Sequence, residues 1–270
     1  RVSGVTNNAT LNIVDNSALF LDGTLTNQGT LNLQSVGNST DLRITGVRLI
    51  DGNGTINASN SVNNRVLAQL GGETLTLGAG QTFQGAASIG AGTLLNFTNQ
   101  GTVIANLPQP LNLQSAGTVV NNNVMRADGS TLNIIATQLG QGAAGQVQAF
   151  NGGLVTVGSN ATITGGTLAT SGGGAVRTVN GQTGGLSNLA NTGNVVINDN
   201  SALVISGTIN NSGSITSSSV GNTTDLRISG VASIGGSGVT SFSNTLSNRI
   251  VATNAGDQLT IGAGQSVQGS

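Results

Sequence analysis

The sequence predicts an all-β fold, a right-handed parallel β-helix (β-solenoid) of about 20–24 residues per coil with three short strands in each coil. Three observations carry this. Short runs such as ATLNIV from Ala9, GTLNLQ from Gly29, GTINA from Gly54 and TLTLG from Thr74 alternate apolar and polar residues with period two, bounded by Gly, Asn, Asp or Ser. Turn residues return at fixed spacing: Asn7 and Asn27 lie 20 apart, as do Asn191 and Asn211, and Arg43 and Arg65 lie 22 apart, as do Arg227 and Arg249. Finally, SVGNSTDLRITG from Ser35 returns as SVGNTTDLRISG from Ser219, a displacement of 184 residues that holds without a gap over 86 pairable positions, about 40 of them identical. An antiparallel sandwich also has evenly spaced short strands, but nothing in it keeps identical turn residues in register every 20 residues.

Taken in order, ATLNIV, SALFL from Ser17, GTLTN from Gly23 and GTLNLQ read as strands separated by turns in which Gly and Asn accept positive φ. Leu11, Ile13, Leu31, Leu33, Leu42 and Ile44 are the inward residues of these runs and of DLRITG, and they are expected to stack into a narrow aliphatic core. Such a core explains why five Phe are the only aromatics. At a rise of about 4.8 Å per coil, about 13 coils would make a rod roughly 60 Å long, with eight or nine coils in the 184-residue unit. Pro108 and Pro110, in NLPQP, cannot donate to a ladder and predict a loop leaving the coil. The Gly-rich stretch 140–185 reads either as a thinner part of the solenoid or as ordinary coil turns. Residues 1–184 form a first super-repeat and 185–270 the start of a second, in one continuous solenoid expected to be a segment of a longer chain.

Composition excludes several functions. Charged residues make up 6% of the chain and the net charge is −1, so the basic stripe that nucleic acid requires is missing. No apolar run is long enough to span a membrane. His, Cys and Lys are absent, which removes His- and Cys-based nucleophile systems and Ser–Lys pairs, and no GGxGxDxUx calcium repeat occurs. The sequence therefore predicts no catalytic residue, no metal site and no cofactor. The carboxylates, such as those in VDNSA, LDGT and RADGS, read as turn residues accepting local N–H groups.

Two sets of residues stand out. Asp41 and Arg43 alternate with inward Leu42 and Ile44, so both are predicted to point outward, as are Asp225 and Arg227 in the copy. They read as a candidate recognition patch repeated along a rod, or as a plain surface ion pair contributing less than about 1 kcal/mol. Whether Arg65 lies over Arg43, with Asp41 between them, is left open by the spacing. Asn27, Asn99, Asn191 and Asn211, at repeated turn positions, predict internal ladders in which each amide bonds to the next coil. Threonine pairs such as Thr74 and Thr76 have the look of a flat ice-binding array, but TLTLG, TLLNF and TVIAN lack its regularity.

The N-x-G-[TS]-[LVI] turns and the GTLNL, STLNI and SALVI strands resemble the β-helix shafts of filamentous-haemagglutinin-like exoproteins and autotransporter passenger domains of Gram-negative bacteria. The NPNG and NPNL motifs of that family's secretion domain do not occur. The resemblance implies an extracellular or cell-surface, non-enzymatic structural shaft of a large repetitive adhesin or fibre. Its partners would be neighbouring repeats, copies of itself, or a host or neighbouring-cell surface. The alternatives are a self-assembling homopolymeric filament or sheath, and, less favoured, a polysaccharide-acting β-helix enzyme or an ice-binding solenoid.

Overall fold

The computed structural model describes residues 1–269, and it is a parallel β-solenoid of about 11 turns with about 23 residues per turn. Among the described residues no helix is long and apolar enough to cross a membrane. Every strand pairing is parallel, and most strands pair with the third strand before and after them in the chain, so three faces run the length of the rod. Face I begins with Val5–Asn7 and Leu25–Asn27, face II with Thr10–Val14 and Thr30–Gln34, and face III with Ala18–Leu21 and Thr40–Ile44. In places one strand bends round a corner and serves two faces, as Thr55–Ala68 does between faces II and III.

Register explains the core. On face II Leu11 pairs with Leu31 and Ile13 with Leu33, and on face III Leu19 pairs with Leu42 and Leu21 with Ile44. Like therefore stacks on like, and Leu31, Leu33, Leu42 and Ile44 are fully buried, while Leu11, in the first coil, is only partly covered. Each fully buried aliphatic contributes about 1.5–3 kcal/mol. The turn count is lower than the 13 coils expected from the sequence because corner loops, such as 69–73 and 90–95, lengthen the turns without adding rise. The NLPQP segment is such a corner, unpaired between Thr102–Ala105 and Leu111–Leu113, with the Gln109 N–H donating to Asn60 Oδ1 at 2.8 Å. The Gly-rich stretch from 140 to 185 is ordinary coil, its strands paired on all three faces.

The duplication does not return to its starting face. Strand Thr40–Ile44 lies on face III, and the next strand, Val47–Asp51, lies on face I. Eight successive pairings along face I lead from Val47–Asp51 to the first half of Thr224–Gly235, which carries the second DLRIS. The second copy is thus eight and one third turns further on, rotated by a third of a turn and displaced along the axis by about 40 Å.

Candidate functional site

The repeated loop and strand around Asp41 and Asp225 are the most elaborately bonded surface feature. In the first copy Asp15, one coil earlier, accepts the Val36 and Asn38 backbone N–H groups through Oδ1 (2.9 and 3.1 Å) and the Asn38 amide through Oδ2 (2.7 Å). Ser35 Oγ closes the loop by donating to Asn38 O at 2.7 Å and accepting from the Gly37 N–H. From the following coil Asn64 Oδ1 accepts the Ser35 N–H, and Asn63 Nδ2 donates to Gly37 O. Asp199 holds Val220 and Asn222 with the same three bonds, Ser219 closes the loop likewise, and Asn248 Oδ1 accepts the Ser219 N–H. A loop fixed from both neighbouring coils leaves Val36 and Val220 exposed on rigid backbone.

Asp41 corrects the sequence expectation of an exposed recognition patch, for it is 3% exposed, and Asp225 is 1% exposed. Alternation does set them on the outer side of the strand, but arginine side chains cover them. Arg43 donates to Asp41 Oδ2 through Nε and Nη2 (3.1 and 2.8 Å), and Arg65 donates through Nε to Oδ1 at 2.7 Å and Nη2 to Oδ2 at 2.9 Å. Register decides this geometry: Asp41 pairs with Arg65 while Arg43 pairs with Leu67, so the two cations flank one anion instead of facing each other. Arg227 and Arg249 bind Asp225 with the same four bonds. Burial alone would push both carboxyls up, but the paired guanidinium bonds outweigh it and hold both below the usual range. Arg43 and Arg227 remain part-exposed at the rim.

The amide ladders lie inside the rod. Asn7 Nδ2 donates to Asn27 Oδ1 at 2.8 Å, Asn99 to Asn121 at 2.8 Å, and Asn191 to Asn211 at 2.8 Å; Asn27, Asn99, Asn191 and Asn211 are completely buried. Sequence reasoning missed the other end of two ladders. Asn27 Nδ2 donates to Gln81 Oε1 at 3.1 Å across an entire intervening coil, and Gln81 Nε2 returns to Asn27 O (2.8 Å) and Asp51 O (3.0 Å). The intervening coil makes room with Gly54, where a Cβ would come within 2.5 Å of Asn27 Nδ2. Gln265 spans to Asn211 in the same way, at 3.1 Å. The signal was present: both copies read GAGQ, from Gly78 and from Gly262.

Four other acids hold backbone or neighbouring side chains. Glu73 accepts the Leu70 and Gly71 N–H groups (2.8 and 2.7 Å), Asp257 accepts those of Asn254 and Gly230 (2.7 and 2.9 Å), Asp128 accepts the Asn151 amide, and Asp22 bonds Thr45 and Arg1. Among the described residues no group of three or more His, Cys, Asp or Glu side chains gathers where a metal ion could be held. An open polar groove of about 170 Å³ beside Arg227 is lined by Gln182, Asn200, Thr223 and Asp225. In chemical terms these arrangements fix loops and neutralise charge between coils. No protein-family model, no curated protein and no solved structure matches the chain.

Proposed function

We propose that this chain is a stretch of the shaft of a large extracellular or cell-surface fibre or adhesin, of the filamentous-haemagglutinin-like or autotransporter-passenger kind, and that its role is structural and not enzymatic. One observation carries the reading: a bonded module of loop, buried aspartate and two arginines recurs eight and one third turns on with the bonds to its aspartates intact. Duplication of this kind lengthens a rod, each unit stacking on the last through the same ladder. The acids support it further, since those described above are engaged in holding backbone, arginine or a neighbouring side chain. A Lys-free, nearly uncharged surface of Asn, Thr and Ser suits a fibre that resists charge-driven association.

The reading is tested by adding 184-residue units in tandem and imaging the particles by electron microscopy. Rod length should grow by about 40 Å per unit, and antibody to the chain should label the surface of intact source cells. Globular particles of constant length, or labelling only after lysis, would refute a surface shaft. Release of unsaturated sugars from uronate polysaccharides by the purified chain would show an enzyme instead.

A further inference from the structure

The edge where face III turns into face I carries five exposed large apolar side chains, gathered in two clusters. Val47, Leu70 and Leu94 occupy this edge in three successive coils, and Val220 and Leu246 occupy it in two successive coils farther along; Leu70 is 91% exposed, Val220 82%, and Leu246 fully exposed. The corner loops that carry Leu70, Leu94, Val220 and Leu246 (69–73, 90–95, 219–223 and 243–247) are among the longer ones on this edge; of the corners between the clusters, 114–118 is as long, while 136–137 and 159–161 are short, as is 45–46 before Val47. About 34 Å of axis, seven coils, separates Leu70 from Val220.

Both clusters are rigid, and they are built differently. Glu73 holds the Leu70 and Gly71 N–H groups, and the Gly72 N–H donates to Leu94 O at 2.6 Å, tying the two loops of the first cluster together. Asp199 holds the Val220 loop, while Ser243 Oγ and Ser247 Oγ donate to Ser219 O and Gly221 O, tying the two loops of the second. Apolar side chains fixed in advance lose little entropy on docking, whereas a mobile tip would lose much. Four exposed apolar tips on ordered loops are a poor arrangement for a solvated edge and a good one for a contact.

We infer that this edge pairs with the same edge of a second copy, the two rods running antiparallel about a two-fold axis near residues 159–161. That axis sets Leu70 against the partner's Leu246 and Leu94 against the partner's Val220, each contact made twice, as an isologous interface requires. Charge selects the orientation. Side-by-side parallel rods would place Arg48 against Arg48, Glu73 against Glu73 and Asp199 against Asp199, and Arg48 has no carboxylate partner among the described residues. The antiparallel register opposes Glu73 and Asp199 to the uncharged loops 243–247 and 114–118. A ridge of a few side chains falls short of the roughly 800 Å² per partner of a stable interface, so the pairing is weak and concentration-dependent in an isolated pair, and grows by avidity where rods lie side by side.

The chain has no cysteine, which makes the test clean. Leu70→Cys and Leu246→Cys variants are oxidised separately and mixed, and sedimentation of the unaltered chain is followed with rising concentration. The inference expects reversible dimers, a disulfide-linked product from the mixture at least tenfold above either variant alone, and loss of the dimer in the Leu70→Ser, Leu246→Ser double variant with an unchanged circular dichroism spectrum. Equal cross-linking of each variant with itself would overturn the antiparallel arrangement. A chain that stays monomeric throughout, or dimers untouched by the double variant, would overturn the edge itself.

Discussion

The two copies of the charged module differ in an instructive way. Phe20 lies beneath Arg43, with the guanidinium carbon 5.9 Å from the ring centre, and Gln69 Oε1 accepts from Arg43 Nη1 at 3.2 Å. In the second copy Val204 and Thr253 stand at those positions, and Arg227 keeps only its bonds to Asp225. The Arg43 side chain is 31% exposed and that of Arg227 41%. Everything that touches the buried carboxylate is the same in both copies, and what lies outside the arginines is not. An unpaired buried charge costs several kcal/mol, whereas an exposed stacking or amide contact contributes less than about one.

Substitution at the aspartates should give the largest effect and the smallest difference between copies. Asp41→Ala and Asp225→Ala each leave two arginines facing one another over a vacated site, and each should cost about 3 kcal/mol by urea unfolding. A cost below about 1 kcal/mol in either copy would break the equivalence of the two modules. Because long repeat arrays can unfold in parts, hydrogen exchange in the surrounding coils should accompany the midpoint.

The ladders come next. Asn27→Ala should cost about 1–3 kcal/mol, because Gln81 Oε1 loses its donor inside the rod, and Asn211→Ala should do the same through Gln265. Substituting Gln81→Leu together with Asn27→Leu should recover part of the loss, since two apolar groups leave no orphaned amide.

Acid should act on both copies alike. The folded-state pKa values of Asp41 and Asp225 lie below the usual carboxylate range, so their contribution is fully present above the unfolded value of about 3.9 and is lost as pH falls through the folded value. Thermal stability should be flat from neutral pH to about 5 and fall below about 4. Asp15 and Asp199 are also held low, chiefly by the Asn38 and Asn222 amides, so in the same acid window the Val36 and Val220 amides should lose exchange protection. Retained protection at pH 2 would show that the serine and asparagine bonds suffice.

Gln69→Thr should make the first module resemble the second at a cost under about 1 kcal/mol, and Thr253→Gln should stabilise the second by no more than that. Arginine-selective labelling with phenylglyoxal should then find Arg43 more reactive and Arg227 less so. Reactivities unmoved by either change would mean that the amide is not what covers the guanidinium.

Most of the fold was legible in the sequence because a solenoid's contacts are nearly local. Period-two alternation names the inward residue, and a repeat of about one coil stacks like upon like, so Leu31 and Leu33 fall on Leu11 and Ile13 without any distant information. The aliphatic core and the presence of asparagine at the repeated corners were determined in that way. Three things were decided only by the tertiary structure. Alternation gives the side of a strand and not what covers it, so the burial of Asp41 waited on the register that lays Arg65 across it. Gln81 reaches Asn27 over a coil emptied by Gly54, a contact of 54 residues' separation that no nearest-coil repeat implies. Two near-identical strings 184 residues apart cannot say how many turns lie between them, because corner loops absorb residues without advancing the rod; the pairings set the count at eight and one third, and with it the face on which each copy appears.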